Sequence, residues 1–274
     1  MRTCRTIHIS AKLSTDFYTM ALNCVTFWSG NLGPVERACL RSVLTQGHAL
    51  SLYCYQRPAN VPKGVSICDA STILPEQVLL SYGAGSIAIF SDRFRYELLR
   101  RSLGTWVDTD MYLVNELDES SLYLYGKQEP GIINNAVLRV PADSQLLAEL
   151  LEIFQEERIP TWLNFRQYFS AYYRKCITSK TGVSRMPWGT TGPGAMTALT
   201  HALGLEKLAA PSAIFYPVHW RQANWILDPS INACDVVSKT TVGIHLWNEV
   251  IRGFKNSSAP SGSFLERLHV EGRI

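Results

Sequence analysis

The first part of the chain alternates between short apolar runs and segments with apolar residues at helical spacing, with polar loops between them. Residues 22–28 predict a buried strand that ends in a loop at Ser29, and apolar residues at helical spacing from Pro34 predict a helix that Gly47 ends. Residues 49–55 predict a second strand. Because strand, helix and strand in this order begin a parallel sheet, the pattern predicts an α/β fold that binds ligands beyond the carboxyl ends of its strands.

The same patterns continue through the rest of the chain. Residues 65–70 predict a third strand, and Ser91 is suited to cap a helix whose apolar stripe ends before Gly104. Further strands are predicted at residues 105–114, 121–125 and 131–140, and a further helix at residues 143–157. From Pro160 onward, aromatic residues at helical spacing predict helices that flank the sheet.

Length and composition predict one domain. We expect residues 1–20 to form an irregular leader and residues 21–274 a single domain, because 46% hydrophobic content in 274 residues is enough to bury one large core. The sequence has neither a clean secretory signal nor about 20 consecutive apolar residues, which predicts no transmembrane segment. Seven scattered cysteines without a CxxC pair favour a reducing compartment. The expected location is the cytoplasm, with any membrane contact peripheral.

The charge balance argues against a nucleic-acid-binding protein. The formal net charge is only +3, whereas a surface that follows a phosphate backbone normally carries a clustered excess of Lys and Arg. A mild basic bias suits an anionic lipid or phosphate ligand, but an ordinary solvated surface is the simpler interpretation.

The sequence GTWVDTD at residues 104–110 carries the strongest chemical signal. In a strand, Asp108 and Asp110 project from the same face and Thr109 from the opposite face. Two carboxylates on one face repel each other unless a cation or hydrogen-bond donors neutralise them. Mg²⁺ and Mn²⁺ prefer oxygen ligands and often take only one or two carboxylates, with phosphate oxygens in the remaining positions. An Asp pair at a turn or a solvated strand end is the competing interpretation.

A second pair of charged residues precedes the acidic pair. Asp92 and Arg95 are three residues apart and share one helical face, where an ordinary ion pair is the alternative. The whole stretch, FSDRFRYELLRRSLGTWVDTD, resembles the DXD sugar-nucleotide glycosyltransferases, particularly the capsular-polysaccharide and yeast mannosyltransferase-like group and, more distantly, the large clostridial glucosylating toxins. It follows their block SDxxRyxxLxxxGGxYxDxD, except that Leu103 replaces the first glycine and Trp106 the tyrosine.

This resemblance implies a GT-A fold, in which a Rossmann-like mixed sheet is flanked by helices and the C-terminal part is rich in helices. The segments FWSG, IINNAVL, TGPGAMT and IHLWNE agree with it, so that it covers about residues 22–252. It implies that Asp92 and Arg95 hold the ribose and the donor sugar. It also implies that Asp108 and Asp110 hold Mn²⁺ or Mg²⁺ and, through it, the diphosphate.

Aromatic residues near both ends of the resemblance are further candidates for donor binding. Phe27, Trp28 and Ser29 lie at the end of the first predicted strand and are expected at the nucleotide-facing edge, and the resemblance implies that Trp28 packs on the base. It also implies that the indole N–H of Trp247 reaches a phosphate. A plain core position for Trp28 is the alternative.

Polar residues of two later segments complete the expected site. The resemblance implies that His245 is a third metal ligand, although a lone histidine on an apolar strand is often a satisfied core group. His219 is the weaker candidate of the two. Asn135, or its neighbour Asn134, is expected to bind the sugar hydroxyls, with a turn as the competing explanation.

The sequence therefore predicts a metal-dependent hexosyltransferase of polysaccharide biosynthesis that moves a sugar from a nucleotide diphosphate, UDP rather than GDP, to a glycan or glycolipid. The resemblance implies retention of anomeric configuration, although no carboxylate is identifiable as a nucleophile. Rings in residues 160–176 and 188–194 are candidates for stacking on the acceptor, with helical core as the alternative. The rival functions are a sugar-nucleotide hydrolase, a nucleotidyltransferase, and a non-catalytic nucleotide- or glycan-binding protein.

Overall fold

The structure is a computed structural model that describes residues 22–81, 87–155, 159–177, 182–187 and 189–273. The expected leader at residues 1–20 lies outside these ranges, and so does Trp188 in the loop considered for acceptor binding. None of the helices in the described ranges combines the length and the apolar character that a bilayer crossing requires.

A six-stranded mixed sheet forms the centre of the described chain. Its strand order is β3-β2-β1-β4-β7-β6, and a separate two-stranded sheet pairs β5 with β8. Neighbours among β3, β2, β1 and β4 run parallel, whereas β7 runs antiparallel to both β4 and β6. The strands are β1 (Asn23–Phe27), β2 (Ala49–Cys54), β3 (Ser66–Asp69), β4 (Thr105–Val107), β5 (Met111–Leu113), β6 (Leu124–Glu129), β7 (Ile132–Arg139) and β8 (Gly243–His245).

Helices cover both faces of this sheet. The α-helices are α1 (Pro34–Thr45), α2 (Glu76–Ser81), α3 (Ile87–Arg100), α4 (Gln145–Glu152), α5 (Phe165–Ile177), α6 (Ala195–Ala202), α7 (Ser212–Phe215), α8 (Ala233–Val236), α9 (Asn248–Ile251) and α10 (Phe264–Glu271). A 3₁₀ segment, Trp220–Leu227, adds to the C-terminal part. The C-terminal part is thus rich in short helices, as expected.

Side chains of the central strands alternate between two cores. In β1, Cys24 packs with Leu50 on the face covered by α1 and α10. Its neighbours Val25 and Phe27 pack on the opposite face, against α3, α4 and α6. Since successive strand residues point to opposite faces, a strand between two layers of helices must be apolar throughout. The run of residues 24–27, which is apolar except for the buried Thr26, therefore reports burial on both sides.

Two details of the predicted elements are wrong. Ser91 does not cap a helix, because α3 begins at Ile87 and places Ser91 in its second turn. The strand predicted at residues 105–114 is two short strands in different sheets, β4 and β5, separated by a turn at Asp108–Asp110. The backbone N–H of Met111 closes this turn by donating to the carbonyl of Asp108 at 3.0 Å.

The α/β prediction is confirmed. Parallel strands with β1 at the centre, an antiparallel β7 beside β4, and helices on both faces form the GT-A-like arrangement expected from the sequence. In open α/β sheets ligands bind beyond the carboxyl ends of the parallel strands. That edge carries Trp28 after β1 and Asp108 after β4.

Candidate metal and donor site

A turn, rather than one continuous strand, brings the acidic pair together. Asp108 directly follows β4, where its backbone N–H donates to the carbonyl of Ala136 at 2.7 Å. Asp110 precedes β5, and its carbonyl accepts from Leu246 at 2.9 Å. The strand alternation from which the shared face was predicted does not exist here, since the chain leaves one sheet and enters another between these residues. The two carboxylates nevertheless lie together, for a different geometric reason.

His245 joins these carboxylates to form a candidate metal centre. One ligand atom from each of Asp108, Asp110 and His245 lies within 4.8 Å of the others. The position of His245 follows from the antiparallel pairing of β5 with β8, in which Met111 is opposite His245. Its Nε2 lies 3.3 Å from Oδ2 of Asp110. Two carboxylates and an imidazole are a donor set that Mn²⁺ and other divalent ions accept.

One ring nitrogen of His245 supports the fit to a cation. Its Nδ1 is buried and has no hydrogen-bond partner among the described residues. Buried polar atoms of native proteins are almost always paired, so the unpaired Nδ1 of a histidine whose Nε2 faces Asp110 calls for an explanation. A ligand that Nδ1 contacts directly would provide it.

Asp108 is fixed by donors on one of its oxygens. The indole N–H of Trp106 donates to Oδ1 at 2.6 Å, and Nη1 of Arg95 lies 3.2 Å from the same oxygen. The Arg95 guanidinium also lies 4.7 Å from the centre of the Trp106 ring. Because both donors use Oδ1, they orient the carboxylate and leave Oδ2 to face other ligands.

Asp92 lies at the centre of a buried hydrogen-bond network. It accepts from Oγ1 of Thr191 at 2.8 Å and from Nδ2 of Asn135 at 2.9 Å. Arg95 lies 3.5 Å away, and it also donates to the backbone carbonyl of Asn135 at 2.6 Å. The expected neighbours Asp92, Arg95 and Asn135 thus form one cluster, and Arg95 links it to Asp108. Arg95 binds both acids, which makes it a positioning group.

The surroundings shift the pKa values of Asp108 and Asp110 in opposite directions. Burial raises the pKa of Asp108 to about 6, although Arg95 opposes this effect. Burial also acts on Asp110, but the charge and hydrogen bond of His245, with the backbone N–H of Asn248 at 2.7 Å, outweigh it and lower the pKa of Asp110 to about 2. Burial lowers the pKa of His245, yet the neighbouring acids dominate and raise it. The shifts of Asp110 and His245 are thus in the directions that favour an ion pair, and Asp108 is the more easily protonated acid.

Trp247 contributes through its backbone and its packing. It adopts a left-handed conformation with φ of 59° directly before α9, which directs the following N–H, that of Asn248, at Asp110. Its indole N–H donates to the carbonyl of Val218 at 2.9 Å. The expected contact of this N–H with a phosphate is therefore not available in this structure, because the donor is already used.

The three residues after β1 have different environments. Phe27 is buried in an aromatic cluster, with ring centres 4.7 Å from Phe94 and 5.0 Å from Phe90, so that its side chain belongs to the core. Trp28 is half-buried and donates through its indole N–H to the carbonyl of Asn31 at 3.2 Å. Ser29 is exposed. Of these residues, only Trp28 and Ser29 present side-chain surface beyond the sheet.

Asn134 and His219 bind elsewhere. Asn134 donates to Gln128 at 2.6 Å, and its oxygen accepts from the backbone N–H of Ala136 at 2.8 Å. His219 pairs with Glu129 at 3.1 Å. Asn134 and Asn135 are not in a turn, since both lie within β7.

Sequence reasoning missed four contacts of this site. Trp106 and Asp108 are two residues apart, and alternate residues of a strand share a face, so the sequence already indicated that their side chains are neighbours. The backbone N–H of Asn248 carries no side-chain signal. Thr191 lies in the TGPGAMT segment but 99 residues from Asp92, and no local pattern relates them. The amino group of Lys255 binds both Glu36 and the side chain of Asn248, the residue whose backbone N–H donates to Asp110.

Comparison with known proteins adds a family likeness to this geometry. The sequence profile of a family described as "Alpha 1,4-glycosyltransferase conserved region" matches residues 185–271, a stretch that contains His245, Trp247 and Asn248. No curated protein matches the chain. Among solved structures, one described as "PaToxG Glycosyltransferase" is similar, with 14% identity over 66% of this chain and 68% of that chain and a TM-score of 0.37. Over its last third, the chain is similar to the alpha 1,4-glycosyltransferase conserved region.

Proposed function

We propose that the protein binds a nucleotide diphosphate sugar, in the first place a UDP-sugar, through Mn²⁺ or Mg²⁺ and transfers the hexose to a hydroxyl group of a glycan or glycolipid. The observation that carries this proposal is the convergence of Asp108, Asp110 and His245, whose ligand atoms lie within 4.8 Å of one another. The cluster lies where an α/β sheet places its ligands, beyond the carboxyl end of β4.

Both carboxylate ligands of the proposed cation are held by groups of this chain. Trp106 and Arg95 orient Asp108, and the N–H of Asn248 orients Asp110. When bound, a divalent cation neutralises the charge that develops on the leaving diphosphate. Groups that are oriented before the substrate arrives do not have to reorganise during the reaction, which is the main source of electrostatic catalysis.

The donor is proposed to extend from this cluster towards β1. The half-buried indole of Trp28 and the exposed Ser29 lie at the end of that strand and would contact the nucleoside. Lys255 connects the two regions, because its amino group lies 5.8 Å from the Trp28 ring and binds the side chain of Asn248. The cluster of Asp92 and Asn135 would bind the sugar or ribose hydroxyls. The ring of Phe27 packs in the aromatic core and would not contact the donor.

Stereochemistry, organisation and location are part of the proposal. Retention of configuration is proposed from the resemblance in the sequence, and the matched region's description as an alpha 1,4-glycosyltransferase fits an enzyme that makes an α linkage. We propose that residues 21–274 form one catalytic domain. A cytoplasmic role in polysaccharide biosynthesis is proposed from the scattered cysteines of the sequence, which include no CxxC pair.

Calorimetry with a panel of sugar nucleotides tests the metal site. With Mn²⁺ present, the best donor should bind at least tenfold more tightly than without it, and Asp110→Ala should remove this difference because one of the two anchored carboxylates is lost. Asp143→Ala, which removes an exposed carboxylate from the surface, is the matched control and should bind as the unchanged protein does.

Product analysis separates this function from its rivals. With donor and acceptor together, a transferase forms a glycosylated product, and with donor alone it releases free sugar only slowly. Rapid metal-dependent release of sugar that acceptors do not divert would instead identify a hydrolase. Donor binding that is equally tight with and without metal, and equal in Asp110→Ala, would contradict the proposed metal site.

A further inference from the structure

Helix α5 directs its apolar stripe away from the protein. Phe165, Tyr168, Phe169, Tyr172, Tyr173 and Ile177 recur at helical spacing, and each is at least 45% exposed. Among the described side chains of α5, only Ala171 is buried. The apolar stripe of a surface helix normally faces the core. A contiguous exposed apolar surface on a folded protein marks a site of interaction.

The charges of α5 indicate which partner fits this surface. The sequence of the helix, FRQYFSAYYRKCI, contains Arg166, Arg174 and Lys175 and no acidic residue, although the whole chain has 23 acidic residues to 26 basic ones. Aromatic rings combined with Lys and Arg on one helix are typical of helices that lie in the interface of an anionic membrane. Tyr rings suit this position because they have an apolar body and a polar end.

The shape of the surface argues against a glycan subsite. The stripe from Phe165 to Ile177 extends over about 18 Å of a convex helix at 1.5 Å per residue, whereas small-ligand sites are concave. Phe165 and Phe169 pack on each other, with ring centres 4.4 Å apart and planes tilted by 52°. Their exposed edges and the aliphatic Ile177 suit acyl chains better than flat sugar faces.

We propose that α5 docks on membranes that contain anionic phospholipids. The aromatic stripe enters the boundary between headgroups and acyl chains, and the exposed Arg166 binds the lipid phosphates. Each basic residue near an anionic membrane surface increases binding about fivefold. The apolar area supplies the remainder of the affinity, independently of ionic strength.

Docking at α5 would also place the membrane close to the proposed active site. Arg174 donates to the carbonyl of Met186 at 3.4 Å, in the described segment that follows α5. Shortly after it, Thr191 donates to Asp92, and Gly192 is so close that an added Cβ would lie 2.8 Å from the Asp92 carboxylate. If the proposed function is correct, a lipid-linked acceptor in the membrane would approach the site from this side.

Cosedimentation of the full chain with lipid vesicles tests the docking surface. Binding should be strong to phosphatidylcholine vesicles that contain phosphatidylserine and at least tenfold weaker to pure phosphatidylcholine. It should weaken at high salt, where exposed charges are screened. The double variant Phe169→Ser, Tyr173→Ser should lose at least tenfold in affinity, and Arg166→Gln about fivefold. Both changes are at exposed positions, and circular dichroism checks that the fold is kept.

A matched control removes exposed apolar groups elsewhere. Leu122 and Val270 are at least 50% exposed, and the variant Leu122→Ser, Val270→Ser should bind vesicles as the unchanged protein does. Equal losses in both double variants, or no vesicle binding by the unchanged chain, would overturn the proposal. So would a dimer that only the α5 variant dissociates, which would assign the stripe to a second copy. Asp110→Ala should still bind vesicles, so this test is independent of the metal site.

Discussion

Single side chains of the site show how position controls charge. Asp108 and Asp110 are two residues apart, yet the pKa of the first is raised to about 6 and that of the second lowered to about 2. Burial acts on both. The difference arises because Asp110 pairs with His245 and a backbone N–H, whereas Arg95 is shared between Asp108 and Asp92. The two acids therefore differ in charge between about pH 2 and pH 6.

Loss of Arg95 should destabilise the fold as well as the site. Arg95→Met would leave Asp92 and Asp108 without their shared counter-charge in a buried region, and we expect a loss of about 3–5 kcal/mol in the free energy of unfolding at pH 7. Urea denaturation measures it. Arg100→Met in the same helix removes only an exposed pair with Glu97 and should cost about 0–1 kcal/mol. Equal costs for the two variants would contradict the assigned role of Arg95.

His48 should make stability depend on pH. Its Nε2 accepts from the backbone N–H of Leu117 at 2.9 Å, and burial lowers its pKa. The unfolded chain binds a proton at His48 near pH 6.5 and the folded chain only at lower pH, so stability should fall as the pH falls through 6.5. Denaturation at pH 7.5 and 5.5 should show a smaller decrease for His48→Gln, which keeps an acceptor. The exposed His201→Gln should leave the decrease unchanged.

The chain approaches strand β1 closely at Gly104, directly before β4. Gly104 has φ of +151°, and an added Cβ would lie 2.3 Å from the carbonyl oxygen of Asn23. This contact lies where β4 begins to pair with β1, and Thr105 is opposite Cys24. A side chain at Gly104 would therefore separate the strand that leads into Asp108 from the centre of the sheet.

Gly104→Ala should consequently destabilise the protein. Backbone strain and the clash with Asn23 together should lower the free energy of unfolding by about 1–3 kcal/mol. Chemical denaturation measures this change. Gly253→Ala is the control, because Gly253 is exposed, has an ordinary φ and would meet no atom within 4 Å. Its expected effect is within about 0.5 kcal/mol, and a comparable loss there would contradict the explanation.

The two ends of the described chain pack against each other. Arg37 of α1 donates to the carbonyl of Gly272 at 2.6 Å, and Phe264, Leu265 and Leu268 of α10 are buried in the same core as α1. The last helix is thus part of the layer that supports β1, far from it in sequence. This packing is what one cooperative domain requires.

Leu268→Ala tests whether the domain unfolds as one unit. The cavity should cost about 2–5 kcal/mol and shift a single unfolding transition that fluorescence and circular dichroism both follow. Val270→Ala in the same helix removes an exposed side chain and should change stability by at most about 0.5 kcal/mol. Two separate transitions, with only one shifted by Leu268→Ala, would contradict the single domain.

Local patterns located the elements better than their ends. The apolar run after Leu22 and the helical spacing after Pro34 correspond to β1 and α1, since these signals come from neighbouring residues. The continuous strand across Asp108–Asp110 was wrong because the apolar sequence on both sides is compatible with one strand or two. Which of these forms depends on β7 and β8, the pairing partners, and these come later in the chain.

The residues fixed the chemistry of the site, and the packing of distant segments fixed its geometry. Two acids, an arginine and a histidine were identifiable from the sequence because their ionisable groups are intrinsic to them. That Trp247 uses its indole N–H within the protein, and that α5 exposes its apolar stripe, became evident only in the fold. A hydrogen-bond partner or a covering surface comes from residues far along the chain, and periodicity in one segment contains no information about them.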